Sequence, residues 1–323
     1  MFKNKIILAV GAVALTALTA CGGGSSTAAG GGDDTLTLGF AQVGAESGWR
    51  TANTKSVQES AKTAGVNLKF SDAQQKQENQ IKAIRSYIQQ KVDVIAFSPV
   101  VETGWDTVLV EAKRAKIPVI LTDRAVDSKD ETLYQTFLGS DFVEEGTKAG
   151  QWLVKEVGSK PTNVVELQGT TGAAPAIDRK EGFAKAISGA SNIKVVASQT
   201  GDFTRAGGKQ VMEAFLKSQP KIDVVYAHND DMGLGAIEAI EAAGKVPGKD
   251  IKIITVDAVK DGMQALADGK INYIVECNPL LGTQLMDLAK QVAAGKQVPK
   301  RVVTKESAFT QEQAAKALPS RQY

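Results

Sequence analysis

Short apolar segments alternate with longer amphipathic segments over most of the chain. Between residues 35 and 122 the pattern predicts strands at 35–41, 66–70, 92–97 and 118–122, separated by helices at 47–64, 78–90 and 105–115. In the second of these helices Ile81, Ile84 and Ile88 recur at helical spacing, and Gly65 follows the first helix as a stop signal. Strands that alternate with helices in this way form parallel sheets with helices on both faces.

A second series of the same kind begins near residue 143. It predicts helices at 143–157, 176–187, 205–217 and 232–243, alternating with strands at 163–167, 195–198, 224–227 and 251–256. One more helix is predicted at 280–293, followed by irregular structure to the last residue. Two consecutive series of similar size predict an α/β protein with two Rossmann-like lobes that face each other.

The first residues have the pattern of an export signal. Lys3 and Lys5 precede an apolar run at 6–18, which is shorter than the roughly 20 residues of a spanning helix. The run ends in Leu18-Thr-Ala-Cys21, which resembles a lipobox, the signal for cleavage before a cysteine that carries a diacylglycerol. We expect a signal peptide at 1–20 and a lipidated Cys21 with a flexible glycine-rich tether at 21–34. The alternative is an ordinary signal peptide with a chance cysteine.

Composition narrows the classes of function. The 323 residues are 43% hydrophobic and 23% charged, with a net charge of +2, which is typical of a soluble globular protein and argues against general nucleic-acid binding. The chain has one histidine, His228, and two cysteines, too few for a multi-imidazole or four-thiolate metal site. If Cys21 is lipidated, Cys277 has no disulfide partner. We expect no metal and no cofactor.

Polar residues cluster just after the predicted strands, where open α/β sheets bind their ligands. The candidates are Glu46, Trp49, Arg50, Asp123, Arg124, Arg179, Phe203, Asn229, Asp257 and Glu276. Carboxylates accept hydrogen bonds, guanidinium groups donate them and amides do both, which suits the hydroxyls of a sugar. The flat face of a sugar ring needs an aromatic plate, for which Trp49, Trp105 and Phe203 are candidates.

Structural roles compete with binding at several of these positions. Asp123-Arg124 could be a plain ion pair, and Asp178-Arg179 could reflect the start of a helix. The run Asn229-Asp-Asp231 could cap a helix or suggest calcium, but the oxygen spacing of a calcium loop is missing. We expect Asn229 to face the ligand and one following aspartate to form the cap. The sequence has neither a nucleophile elbow nor a dinucleotide fingerprint after the first strand, so we expect no enzyme and no catalytic residue.

Several motifs together resemble one family of proteins. They are Gly39-Phe-Ala-Gln-Val-Gly-Ala-Glu-Ser-Gly-Trp-Arg50, Gln74-Gln-Lys-Gln-Glu-Asn-Gln-Ile81, Pro99-Val-Val-Glu-Thr-Gly-Trp105, Glu166-Leu-Gln-Gly169, Ile177-Asp-Arg-Lys-Glu-Gly-Phe183, Gly201-Asp-Phe-Thr-Arg205 and Tyr226-Ala-His-Asn-Asp-Asp-Met232. From about residue 36 to 279 the chain resembles the sugar-binding proteins of bacterial ABC transporters, of the ribose- and galactose-binding type, and in particular those that bind galactofuranose.

The resemblance implies an architecture and a set of partners. It implies the type I periplasmic binding protein fold, in which three crossing segments join the lobes, here near 138–141, 277–279 and 302–305. The first lobe would then comprise 35–139 plus about 279–303, and the second 140–278 plus about 304–323. It implies a monomer that captures a monosaccharide between the lobes, which close over it, and delivers it to an ABC permease and its ATPase.

The resemblance also implies roles for single residues. Hydroxyl-binding positions of the family match Asp123, Arg124, Arg179, Asn229 and Asp257, and a stacking ring matches Phe203. Glu276 lies near a polar ligand position, although the register there is uncertain. Trp49 and Arg50 stand where ribose-binding members carry two phenylalanines. Because the donors of Arg50 would lack partners beside a small sugar, we expect galactose in its furanose form rather than ribose.

Three other classes of function remain as alternatives. A regulator of the lac-repressor type shares the two-lobe core, but it needs a DNA-binding helix-turn-helix where this chain has a signal and a tether. A secreted α/β enzyme needs a nucleophile or an acid/base pair. A receptor that senses a sugar without transporting it fits the same residues.

Overall fold

The computed structural model describes residues 35–323. The expected signal peptide, Cys21 and the tether at 21–34 lie outside the described residues. Within residues 35–323, no helix combines the length and the hydropathy that crossing a membrane requires.

The first sheet has six strands, all parallel, in the order β11-β5-β4-β3-β1-β2. Its strands are β1 (Thr37–Gln42), β2 (Asn67–Asp72), β3 (Val94–Phe97), β4 (Val119–Thr122), β5 (Thr136–Gly139) and β11 (Arg301–Val303). The central strands β3 and β4 are buried along their whole length, as expected for a sheet covered on both faces.

The second sheet also has six strands, in the order β12-β10-β9-β8-β6-β7. Its strands are β6 (Thr162–Gln168), β7 (Ile193–Thr200), β8 (Val224–Ala227), β9 (Lys252–Asp257), β10 (Tyr273–Glu276) and β12 (Ala308–Phe309). All pairs are parallel except that β12 runs antiparallel to β10 at the edge. The predicted α/β fold with two lobes is confirmed.

Helices cover both sheets. They are α1 (Gly48–Ala64), α2 (Gln77–Gln89), α3 (Asp106–Arg114), α4 (Phe142–Val157), α5 (Ala174–Ile187), α6 (Arg205–Ser218), α7 (Asp230–Ala242), α8 (Lys260–Ala267), α9 (Gly282–Ala293) and α10 (Gln311–Ala317). α9 packs with α1 on the first lobe, and its Leu285 and Ala289 are fully buried.

Three segments connect the two sheets. Residues 140–141 lie between β5 and α4, residues 277–281 between β10 and α9, and residues 304–307 between β11 and β12. Side chains from all three segments meet, because the Ser140 hydroxyl donates to Glu306 and lies 3.3 Å from Cys277 Sγ. This cluster forms the hinge of the molecule.

Helix α1 shows how local sequence places functional side chains. The Ser47 hydroxyl caps its N-terminus by accepting from Arg50 N at 3.1 Å, and Gly65 ends it with φ +66°. Val57 and Ala61 anchor its buried face in the core of the first lobe. Its first turn, with Trp49 and Arg50, is thereby fixed beyond the carboxyl end of β1.

The structure also contains elements that the hydrophobic pattern does not predict. The region expected to be irregular after α9 contains β11, β12 and α10. α8, before β10, was not predicted either. α8 and α10 have only eight and seven residues, too few turns for a helical repeat to stand out. β5 and β10 also lie outside the predicted series. These two strands have four residues each, and β11 and β12 have three and two, so all four are short and gain order by pairing with neighbouring strands.

Candidate functional site

A small cavity lies between the lobes at the carboxyl ends of the strands. Its lining consists of Glu46, Ser47, Trp49, Arg50, Asp123, Arg124, Pro175, Arg179, Phe203, Asn229, Asp257 and Cys277. Every candidate ligand-binding residue from the sequence is in this set except Glu276. The residues that the strand-end rule selects from six separate segments of the chain therefore lie together in the structure.

The half of the cavity formed by the first lobe is built around Arg50. Its Nε donates to Glu46 Oε1 at 3.1 Å, its Nη2 to Asp123 Oδ2 at 2.7 Å and its Nη1 to Gln42 Oε1 at 3.1 Å. Burial opposes the charge of Arg50, but the carboxylates of Asp123 and Glu46 outweigh it and raise its pKa. The premise that Arg50 lacks partners without an extra sugar hydroxyl is wrong, because three protein oxygens already accept from it.

Arg124 makes fewer hydrogen bonds than Arg50, although its guanidinium lies 3.5 Å from Glu46 Oε1 and 3.7 Å from Asp123 Oδ2. Its Nη1 donates to Val100 O at 3.2 Å, and its Nε makes no hydrogen bond to any described residue. Burial, together with the neighbouring charge of Arg50, lowers its pKa to about 10. A buried guanidinium nitrogen without an acceptor is a donor available to a ligand.

The half formed by the second lobe is built around Arg179. Its Nε donates to Glu145 Oε2 and its Nη1 to His228 O, both at 2.6 Å, and its Nη2 lies 4.0 Å from Asp257 Oδ1. Burial opposes the charge of Arg179, but Glu145 outweighs it and raises its pKa. Burial raises the pKa of Glu145 to about 8 and that of Asp257 well above its usual range. Asp257 Oδ2 makes no hydrogen bond within residues 35–323.

The cap of α7 differs from the expectation. Asn229 itself is the N-cap, since its Oδ1 accepts from Met232 N at 3.0 Å while its Nδ2 donates to Phe203 O at 3.0 Å. The prediction that a following aspartate forms the cap is wrong. Asp230 instead accepts from Val259 N at 2.8 Å, and Asp231 accepts from Gly48 N at 2.7 Å. Asn229 still lines the cavity, so one side chain both caps and faces it.

Two aromatic side chains face the cavity. Trp49 is held by a 2.7 Å hydrogen bond from its Nε1 to Cys277 O, and the Phe203 ring lies 5.2 Å from the Arg124 guanidinium. The Phe203 ring packs so closely on Gly169 that a Cβ there would lie 1.9 Å from it. Trp105, the third candidate plate, is outside the lining and packs on Phe97 with ring centroids 4.8 Å apart.

Three lining residues adopt positive φ without being glycine. The φ angles are +63° at Asp123, +61° at Phe203 and +123° at Asp257. Such conformations cost of order 1–3 kcal/mol each and persist only where the surroundings enforce them. They turn side chains away from strand alternation and into the cleft, which a sequence pattern does not reveal.

Glu276 lies outside the cavity lining. In the sheet it pairs in register with Asp257, but only Asp257 has the unusual φ that redirects its side chain. The Glu276 carboxylate accepts from Arg321 Nη1 at 2.7 Å and Tyr323 Oη at 2.9 Å. Its neighbour Cys277 lines the cavity instead.

Other functional residues were missed by the sequence reasoning. Ser47, Pro175 and Cys277 line the cavity, and Glu145 holds Arg179 from behind. Ser47 and Cys277 are direct neighbours of predicted candidates, so reading one position further would have found them. Glu145 lies inside α4, and no local signal distinguishes it from the exposed Glu144 beside it.

Two six-stranded sheets of mostly parallel strands, three crossing segments and a polar cavity between the lobes define a type I periplasmic binding protein fold. The chain belongs to the family described as periplasmic binding protein domain, whose pattern matches residues 38–297. The family expected from the sequence motifs is thereby confirmed.

Named relatives lie in the same group of proteins. The chain is 51% identical to the galactofuranose-binding protein YtfQ of Escherichia coli K12, over 98% of each chain. A crystal structure from Mycobacterium smegmatis in complex with β-D-fucofuranose is 71% identical, with a TM-score of 0.88 over 90% of this chain and 96% of that one. The binding protein of the arabinose ABC transporter of Shewanella sp. ANA-3, bound to α- and β-L-arabinofuranose, is 51% identical, with a TM-score of 0.86 over 89% and 96%.

Proposed function

We propose that the protein is an extracytoplasmic solute-binding protein that captures a monosaccharide between its lobes and delivers it to an ABC permease. The observation that carries the proposal is a set of buried polar atoms without protein partners at the cavity. Glu46 Oε2, Arg124 Nε and Asp257 Oδ2 make no hydrogen bonds among residues 35–323. An unpaired buried polar group costs about 1–3 kcal/mol, so a ligand that pairs all three gains affinity.

A sugar satisfies these groups because each hydroxyl can donate and accept at once. Carboxylate oxygens of Glu46 and Asp257 accept from hydroxyls, and Arg124 donates to one. Trp49 and Phe203 offer apolar rings to the C–H face of the same ligand.

We infer that the preferred ligand is a furanose, and galactofuranose in the first place. The named relatives bind galactofuranose, β-D-fucofuranose and L-arabinofuranose. These three sugars share the configuration of their ring carbons and differ in the chain attached at C4. Ribofuranose differs in the orientation of its ring hydroxyls, so it would leave some of the orphaned atoms unpaired.

The ligand proposal is tested by calorimetric titration with galactose, L-arabinose and D-ribose, followed by NMR of bound galactose labelled at C1. We expect galactose and L-arabinose to bind at least tenfold more tightly than ribose, with a furanose anomeric signal in the complex. A pyranose signal, or ribose as the tightest ligand, would refute the choice of sugar. Absence of binding by all three sugars, with the protein folded, would count against a receptor for these monosaccharides.

We also propose that the mature chain is anchored in the membrane through a lipid on Cys21. The support is the order of basic head, apolar run, lipobox-like Leu18-Thr-Ala-Cys21 and glycine-rich tether. A diacylglyceryl group supplies the two acyl chains that stable anchoring requires. In cell fractionation the Cys21→Ala variant should leave the membrane fraction and still bind sugar, and its retention there would contradict the anchor.

A further inference from the structure

Two of the sequence motifs contact each other across the cleft. Residues 46–50 supply Gly48, the first residue of α1 in the first lobe, and residues 228–232 supply Asp231, in the first turn of α7 in the second lobe. Gly48 N donates a hydrogen bond of 2.7 Å to Asp231 Oδ2. Asp231 is 183 residues distant in sequence and is outside the cavity lining, so this contact joins the lobes without being part of the sugar site.

The contact satisfies a donor that α1 cannot satisfy itself. The first four amides of a helix have no partner within the helix, and the Ser47 side chain takes up only that of Arg50. A carboxylate at this position also benefits from the positive end of the helix dipole. The other oxygen of Asp231 lies 3.5 Å from Arg205 Nε of the second lobe, which holds the carboxylate in place.

We propose that Asp231 is a positioning residue that sets sugar affinity by holding the lobes closed. The proposal rests on the proposed function, since it assumes that the sugar binds between the lobes. When the lobes separate, the bond from Gly48 N is lost, and Asp231 keeps only partners of its own lobe. Trp49 and Arg50 directly follow Gly48, so the same bond also fixes the turn that carries two cavity residues.

A second contact between the lobes behaves differently. Glu102 N donates to Gly172 O at 2.9 Å, which is a bond between backbone atoms that substitutions leave in place. The Arg124 guanidinium also contacts the Phe203 ring across the cleft, but both residues line the cavity. Asp231 is therefore a contact through which closure can be altered by a side chain outside the cavity lining. Because a sugar enclosed between the lobes leaves only when they reopen, loss of this contact speeds reopening and weakens binding without changing any atom of the cavity lining.

The experiment compares wild type, Asp231→Asn, Asp231→Ala and the control Glu238→Gln. Glu238 is also a carboxylate on α7, but it pairs with Lys209 of the same lobe at 3.1 Å. Dissociation of galactose and L-arabinose is followed by stopped-flow tryptophan fluorescence, and lobe separation by small-angle X-ray scattering. We expect Asp231→Ala to weaken binding about tenfold, mainly through faster dissociation, with Asp231→Asn in between and Glu238→Gln within twofold.

The possible outcomes distinguish a failure of the proposal about Asp231 from a failure of the proposed function. Dissociation rates of Asp231→Ala within twofold of wild type, or a loss confined to the association rate, would overturn the proposal. If the wild-type protein binds neither sugar, the proposed function is wrong, and the proposal about Asp231 is then tested by scattering alone. Without sugar, Asp231→Ala should have a larger radius of gyration than wild type and Glu238→Gln, and an equal radius would also overturn the proposal. Thermal unfolding of each variant checks that the lobes themselves remain folded.

Discussion

The two halves of the cavity each contain a paired arginine, and they differ in the further charged group that each contains. Each half has a buried arginine held by carboxylates of its own lobe, Arg50 by Glu46 and Asp123, and Arg179 by Glu145. Beyond these pairs the first half adds a cation, Arg124, whose Nε lacks an acceptor, while the second adds Asp257, whose Oδ2 lacks a donor, within the described residues. The first lobe therefore brings an unused donor, Arg124 Nε, beside an unused acceptor, Glu46 Oε2, whereas the second lobe brings an unused acceptor, Asp257 Oδ2.

This difference explains why the site needs both lobes. Burial lowers the pKa of Arg124 to about 10 and raises that of Asp257, so each charge is disfavoured where it stands. In the proposed complex, a hydroxylated ring between them would accept a hydrogen bond from Arg124 and donate one to Asp257. Burying such groups costs stability in each lobe and becomes favourable only when ligand and closure supply the missing partners.

The largest effect is expected for Arg179→Ala. Removal of Arg179 takes a donor from the cavity and also leaves Glu145 buried without its cation. Glu145, whose pKa is raised by burial, can then take up a proton, so we expect a loss of about 1–3 kcal/mol in stability and a fall in sugar affinity of about 100-fold or more. Calorimetry and thermal unfolding measure the two losses. Arg179→Lys keeps the positive charge but loses the planar guanidinium with its several donors. Compared with Arg179→Ala, it should be more stable but should bind sugar little better.

The matched substitution in the first lobe, Arg124→Ala, should weaken sugar binding without lowering the stability of the sugar-free protein. We expect affinity to fall about 10- to 150-fold, because a charged donor is lost. Stability without sugar should stay the same or rise, since Arg124 is a buried cation close to Arg50. Equal losses of stability in Arg124→Ala and Arg179→Ala would contradict the expected difference between the two lobes.

A change of pH is expected to have a smaller effect on the stability of the protein. The carboxyl groups responsible for it lie in the second lobe. Burial raises the pKa of Glu145 to about 8 and that of Asp230 to about 7. The folded state therefore binds protons there more tightly than the unfolded chain, so stability falls as pH rises towards these values, by at most about 1.4 kcal/mol per pH unit for each group. Burial lowers the pKa of His228, which costs stability only below its unfolded value of about 6.5.

The window from pH 6.5 to 8 therefore isolates the carboxyl groups. The midpoint of thermal unfolding of the sugar-free protein should decrease steadily from pH 6.5 to 8. Glu145→Gln removes one of the titrating groups and should flatten that slope, whatever its absolute stability, whereas the surface variant Glu238→Gln should keep it. An unchanged slope in Glu145→Gln would show that another group titrates in this window.

The sequence predicts the parts of this molecule that depend on local pattern. Strands such as 224–227 and helices such as 47–64 agree with the structure to within about a residue, because their apolar periods are long and clear. The strand-end rule predicts Asp123 and Asp257 as candidate binding residues. It could not reveal which groups are already paired, since the partners of Arg50 and Arg179 come from other segments. It also could not foresee the positive φ that turns Asp257 into the cleft.

The smallest effect is expected at Glu276, the candidate that lies outside the cavity lining. Its carboxylate holds Arg321 and Tyr323 at the end of the chain, and Arg321 in turn donates to Ala258 O at 2.6 Å, next to Asp257. Glu276→Gln keeps the shape and removes the charge. We expect sugar affinity to stay within twofold, because the carboxylate is not part of the cavity lining. The partly buried pair should be worth about 1 kcal/mol in stability.

Two measurements check this prediction. Calorimetry should give the same affinity for Glu276→Gln and wild type, while Asp257→Asn, its neighbour in register on β9, should lose binding. Digestion with carboxypeptidase should remove the last residues of Glu276→Gln faster, because Tyr323 has lost a charged partner. A loss of affinity in Glu276→Gln as large as in Asp257→Asn would place Glu276 in the binding site after all. It would then require the chain end to move aside when sugar binds, since Arg321 and Tyr323 occupy the carboxylate in this arrangement.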